Sequence, residues 1–457
     1  MYRLIFPSAL LLTFISIVLL LLRPQTGMLF AIFAKPIVSM SWSHEVFFGL
    51  SALEIMGVIV PTILLIRMLV FAADRPRKMR YAGAWLLYIF ANILGYSLIA
   101  ANGQFMNAIA AFFKMINGFV AFYVYQVYFS ERENFRKLLI VYLIAGLVPL
   151  FLGLYEASTG HQLREGIYEI RTGAEGVIRI SGYYQNAITY KMIGYFTLTS
   201  ILLYWCYFAR HTLWSKILLG SYTVVCLIVI YNIYSKGAIL TILVWFLIWT
   251  MSKKSFGWLV SIIMLMFVFN FVTGNMIAED VATTFSHETA AVEGEEDVDR
   301  MFQGRVGMVK YIVNEWLRRD FVSQVFGWGE LRGGHNDFAR ALATTGVFGL
   351  ISYLLLLGIL GKRIMVNARK NPMPLNVVAL MIFVAWIADA LGRDPSQWIE
   401  YQWWAWGFMG LAVYGVRGLS TDRQSDSLRK SIELGPDTSG TGRRILRKAN
   451  GSARRIN

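Results

Sequence analysis

Apolar runs long enough to cross a lipid bilayer recur along most of this 457-residue chain, and no other feature narrows its possible folds so far. Inside hydrocarbon there is no water to pair with backbone N–H and C=O groups, so only helices and closed barrels span it. A helix needs about 20 mainly apolar residues to cross, whereas a barrel strand needs about 10 of alternating polarity. The runs here are of the first kind. They fall at 5–22, 47–72, 81–99, 104–127, 138–154, 189–209, 217–235, 238–252, 257–273, 343–361, 374–392 and 401–417. The expected fold is an all-α polytopic membrane protein with about 12 transmembrane helices. Charged residues make up only 16% of the chain, against about 25% in a soluble domain. Segment 26–41 is interrupted by Lys35 and Pro36, and a re-entrant or interfacial piece is expected there.

A formal charge of +15 would suit nucleic acid if it formed one patch. Instead the charge is divided among short loops: DRPRKMR (74–80), ERENFRK (131–137), RHTLWSK (210–216), Lys253–Lys254 and KRIMVNARK (362–370). These loops alternate to one side of the predicted bundle, and the tail beyond Arg417 joins them. That asymmetry is the positive-inside pattern, so this side is expected to be cytoplasmic, with both termini on it and no nucleic-acid partner. The chain then divides into a membrane domain at 1–417 and a basic tail at 418–457, whose polar composition predicts disorder. The opposite, outer side carries loops at about 155–188 and 274–342. Cys206 and Cys226 lie within apolar runs and read as small packing residues. No small-residue cleavage site follows the first run, so it is expected as a retained helix.

The candidate chemistry lies on the outer side. Arg179 precedes the run at 189–209, and Lys236 sits in the tight turn YSKGAIL between two spans. Arg305 opens a stretch in which Val306, Val309, Ile312, Val313, Trp316 and Leu317 recur at helical spacing, as in an amphipathic helix lying on the membrane surface. His335 and Asn336 follow Gly333 and Gly334 just before the chain re-enters the bilayer. Guanidinium and ammonium groups at a membrane face suit a phosphate headgroup, and an imidazole suits a general base. Taken singly, each has a plainer reading: a loop Arg anchors lipid, a loop His is solvated, and Lys236 ends a helix. The acidic run Glu293, Glu295, Glu296, Asp297 and Asp299 reads as a solvated loop, and no metal is expected. Among charges inside apolar runs, Arg67 can snorkel, Glu54 and Lys114 can pair with each other or serve a substrate, and Asp389, with Arg393 and Asp394 close by, can line a polar cavity. Tyr183, Tyr184, Trp398, Tyr401, Trp403 and Trp404 read as an interfacial belt, some of them free to stack on a ligand.

Taken together, Ser235-Lys236-Gly237, Gly304-Arg305 with Trp316, Gly327-Trp328-Gly329, His335-Asn336 and Gly346-Val347-Phe348-Gly349 resemble the O-antigen ligase and polymerase superfamily of envelope glycosyltransferases. The motif likeness covers roughly 150–365, and the layout of spans is similar throughout. AKPIVSMSW and RISGYYQN look like members concerned with exopolysaccharide. One departure is Lys236, which stands where the family usually has Arg, so the charge is kept and the bidentate fork lost. The resemblance implies inverting, metal- and cofactor-independent transfer of an undecaprenyl-diphosphate-linked glycan at the periplasmic face of a bacterial inner membrane. It implies that His335 is the general base, that Arg305 is catalytic, and that Arg179, Lys236 and Arg305 bind the diphosphate. Asn336, Tyr184 and Asp389 are candidates for the substrate cavity. Implied partners are the lipid-linked glycan donor, a glycan or lipid A-core acceptor, membrane lipids and a chain-length regulator protein. A polymerase is favoured over a ligase on the exopolysaccharide-like segments. The reading from another class is a transporter, such as a lipid-linked oligosaccharide flippase, which 12 helices would also suit.

Overall fold

The structure is a computed structural model, and it describes residues 2–47, 50–76, 79–163, 180–184, 187–210, 212–233, 235–253, 257, 276–294, 297–330 and 335–419. Helices α1 (Tyr2–Leu22), α2 (Pro24–Ser39), α3 (Ala52–Val70), α4 (Ala82–Ala101), α5 (Phe105–Phe129) and α6 (Arg132–Thr159) form the first half. Next come α7 (Ala187–Tyr207), α8 (Leu213–Asn232), α9 (Lys236–Lys253) and the outer-loop helices α10 (Met276–Glu293), α11 (Met301–Leu317) and α12 (Phe321–Phe326). The chain closes with α13 (Asp337–Lys370), α14 (Pro374–Gly392) and α15 (Ile399–Tyr414). Among the described residues, nine helices are long and apolar enough to cross a membrane. The chain is thus an all-α polytopic membrane protein, with one short antiparallel hairpin pairing Glu45–Phe47 with Leu50–Ser51. The expected span at 257–273 lies outside the described residues. α7 and α15 form where spans are expected but fall outside that set of nine.

α15, at 16 residues, is shorter than the nine. α15 is buried along almost its whole length and packs against α5, so its surroundings are protein rather than lipid. Small residues allow the approach: a methyl at Gly410 would lie 2.3 Å from the Phe122 carbonyl oxygen. The outer surface carries large apolar side chains such as Phe14, Leu86, Phe90, Phe151, Leu218 and Leu354, all well exposed. In water such a surface would aggregate; in a bilayer the acyl chains cover it.

Segment 26–41 is helical through both interruptions: α2 runs unbroken past Lys35 and Pro36 to Ser39. Pro24 takes its first turn, where a missing N–H is harmless. Lys35 is housed by tertiary partners, its ammonium 4.6 Å from the centre of the Trp403 ring. Ser39 hydrogen-bonds the carboxylate of the neighbouring Glu400. Glu54 also has a local role: it completes a capping box with Ser51 at the start of α3, where the Ser51 N–H reaches its carboxylate at 2.9 Å.

One end of the bundle gathers the basic loops. The Arg417 N–H donates to the Ser130 carbonyl at 2.7 Å, and its guanidinium meets Glu131 at 3.0 Å. Arg67 pairs with Asp74 at 2.8 Å at that same end of α3, which accounts for a charge near the end of an apolar run. The other end carries the outer-loop helices and the residues discussed next.

Candidate functional site

The site is organised by the last turn of α14. Asp389 is buried there and forms an ion pair with Lys191 of α7, while its other oxygen accepts the Tyr401 hydroxyl at 2.9 Å. Two residues on, the Leu391 carbonyl accepts the Asn336 side-chain amide at 2.8 Å. Gly392 lies under the Arg305 guanidinium, whose Nη1 would be 3.3 Å from a methyl placed on that glycine. Arg393 follows directly, in extended backbone at the end of the helix. Helix C-termini carry partial negative charge, which favours cations gathering here.

His335 is exposed in the loop just before α13. Asn336 beside it is the N-cap, its side-chain oxygen accepting the N–H groups of Phe338 at 3.0 Å and Ala339 at 2.9 Å. Asn336 therefore ties the chain next to the imidazole both to α13 and to α14. Partial burial holds the His335 imidazole below its usual pKa, and the charges of Arg393 and Arg305 push the same way. Each of those causes disfavours the protonated ring, which leaves a neutral imidazole able to accept a proton.

Lys236 begins α9, and its ammonium pairs with Glu288 of α10, with the Phe285 ring 5.5 Å away. The neighbouring Gly237 sits beside the buried pair: a methyl there would be 3.7 Å from an Asp389 oxygen and 3.8 Å from the Lys191 nitrogen. The Ser235-Lys236-Gly237 turn, Arg305, His335 and Asp389 thus converge from four separate elements. Arg179 lies outside the described residues. Tyr184 is placed elsewhere: it is buried, donates its hydroxyl to the Pro36 carbonyl at 3.0 Å, and stacks on Tyr190.

Beneath His335, Asp337 is fully buried and takes hydrogen bonds from Arg340 at 3.0 Å, Ser396 at 2.6 Å and Tyr353 at 2.9 Å. Trp386 donates to the Tyr353 hydroxyl at 2.8 Å. A buried carboxylate needs such satisfaction, and it makes a stiff footing for the loop above. Sequence reasoning passed over Lys191, Asp337 and Arg340. The signal was there, since an ionisable residue within a membrane-spanning segment marks a function or a partner, the rule already applied to Asp389.

The amphipathic face after Arg305 is divided differently from expectation. Val309, Ile312 and Trp316 pack against Trp328, Ala339 and Ala343 of the protein itself, while Tyr311, Val313 and Leu317 stay exposed and available to a lipid surface. The expected aromatic belt is mostly core: Tyr183, Tyr184, Tyr401, Trp403 and Trp404 are buried. In the acidic run, Asp299 meets Lys310 at 3.1 Å and Asp297 caps a short turn. Neither protein-family models nor curated proteins give a match to this chain.

Proposed function

We propose that this protein is a membrane glycosyltransferase that polymerises undecaprenyl-diphosphate-linked repeat units at the periplasmic face of a bacterial inner membrane. The observation that carries the reading is that the loop bearing His335, held through Asn336, and the Arg305 guanidinium meet at the last turn of α14, beside the Ser235-Lys236-Gly237 turn. In the proposed step a ring nitrogen of His335 takes the proton of an acceptor hydroxyl. The freed oxygen attacks the anomeric carbon from the face opposite the diphosphate, and the carbon–oxygen bond to the diphosphate breaks. The released diphosphate keeps the electron pair, and Arg305, Lys236 and Arg179 offset its charge. Fixed cations at the point where charge develops are the strongest electrostatic aid to such a step.

The twelve-span layout with both termini cytoplasmic belongs to the same proposal and is supported by the basic loops collected at one end of the bundle. A polymerase is preferred to a ligase on the exopolysaccharide-like segments around Lys35 and Tyr184. A carrier would place its polar site near the bilayer midplane. Here the charged residues sit at helix ends: Lys236 opens α9, Asp389 lies in the last turn of α14 and His335 precedes α13.

The test is to supply the purified full chain with a lipid-diphosphate-linked repeat unit and separate the products. A ladder that disappears in His335→Ala, with that variant still folded in detergent, is expected. Product formed only when lipid A-core is added would make the protein a ligase. No product under either condition sinks the transferase reading.

A further inference from the structure

We infer that the basic end of the bundle binds an anionic phospholipid, its phosphate seated in a cavity among Arg75, Arg80 and Arg417. The cavity measures about 530 Å³, within the range of roughly 300–1,000 Å³ usual for small-molecule sites. Glu131, Ser130 and Tyr414 complete the part of the lining that matters here. These residues come from three connections in the chain: the α3–α4 loop, the α5–α6 junction and the segment that ends α15.

Contacts within the protein hold each arginine in place. The Arg75 guanidinium donates to the Met68 carbonyl at 3.3 Å and to that of Leu69, both in the last turn of α3. Arg80 gives its backbone N–H to the Tyr414 hydroxyl, and its carbonyl accepts the Tyr123 hydroxyl at 2.9 Å. Its guanidinium lies 5.7 Å from the centre of the Tyr414 ring. Arg417 is fixed by its bonds to Ser130 and Glu131. Glu131 offsets one of the three positive charges and leaves two in excess. That excess suits a phosphate ester, whose oxygens the guanidinium forks grip in pairs. The surroundings of Arg75 point to a lipid as its source. Leu69, whose carbonyl Arg75 meets, has its own side chain 64% exposed, and Ile66, Val70 and Phe71 are exposed beside it. A phosphate held here lies at the edge of an apolar surface that acyl chains cover, so one lipid can set its headgroup on the arginines and its chains along α3.

The test titrates the purified full chain in neutral detergent with phosphatidylglycerol and, in parallel, with phosphatidylcholine of the same chains, reading bound lipid by native mass spectrometry. Phosphatidylglycerol should bind about tenfold or more tightly, the worth of one charge-assisted contact, and Arg80→Gln should remove most of that preference. Equal binding of the two lipids, or a folded Arg80→Gln with the parent's preference, overturns the inference. Arg75 and Arg80 are both exposed, so Arg75→Gln decides in the same way if the first variant does not fold. Lys370→Gln, at the exposed end of α13 and outside the cavity lining, should keep the preference. A loss there as large as in Arg80→Gln would mean diffuse attraction to a basic surface and no site. Glycerol 3-phosphate separates ester from lipid: it should bind far more weakly than the lipid and lose that binding in the same variants. Binding as tight as the lipid's would make the ligand a free phosphate ester and overturn the lipid assignment.

Discussion

At the scale of residues, the imidazole of His335 is set for proton acceptance by where the chain puts it. Burial, Arg393 and Arg305 all hold its pKa below the ordinary value of about 6.5. The base form is therefore populated at neutral pH and persists into mildly acid solution. The acid limb of kcat/KM, where the free enzyme's base becomes protonated, should lie below the usual imidazole range. Arg393→Gln removes one repelling charge and should move that limb to higher pH, whereas Arg393→Lys keeps the charge and should leave it nearly in place. A pH profile of initial rates checks this, and a limb that stays put in Arg393→Gln would separate His335 from the proton transfer. His335 and Arg305 were legible because each sits in a short polar context outside the apolar runs. Lys191 was not. Its partner Asp389 is 198 residues away in the chain, and a lone charge within an apolar run says nothing about what will meet it.

At the scale of elements, the break in α13 shows how Gly-bearing motifs act as structure. Gly346 has φ 66° and ψ −170°, so the helix is interrupted there, and a methyl on it would lie 2.2 Å from the Val325 carbonyl oxygen. Gly327, at φ 106°, faces the Thr344 carbonyl at the same separation, and the Trp328 N–H donates to Ala343 at 3.0 Å. The Gly327-Trp328-Gly329 run and Gly346 thus clasp one another and fix the outer loop against α13. Gly346→Ala should cost at least about 1–3 kcal/mol of strain, before any clash, and lower the melting temperature in detergent. Gly358→Ala, further along α13 with nothing within 4 Å of the added methyl, should be neutral or slightly stabilising, since Ala favours helix by about 1 kcal/mol. Equal melting of the two variants would count against the clasp. The period of α11 was legible in the same way, but not which surface would cover it: a 3.6-residue repeat defines an apolar face without naming its partner.

At the scale of the whole molecule, the bundle separates a basic end from the end that carries the candidate site, and that polarity can be measured. In a background with Cys206 and Cys226 replaced by alanine, a cysteine at Thr421 should react with an impermeant maleimide only in inverted inner-membrane vesicles. One at Glu293, exposed at the end of α10, should react only from the periplasmic side. The opposite pattern would invert the protein and put His335 in the cytoplasm. The class of fold, the positions of most spans, and the charge asymmetry behind this prediction were all determined by the sequence alone. They depend on local quantities, run length and the cost of leaving backbone groups unpaired in lipid, that need no knowledge of neighbours. Only the tertiary structure decided that α2 is a full helix, that Trp403 and Trp404 are core, and that Lys191, Asp389, Arg305, Arg393 and His335 share one end of α14. Burial and charge pairing depend on what lies across a gap, and in this chain the groups that meet across it come from α7, α11, α14 and the loop before α13.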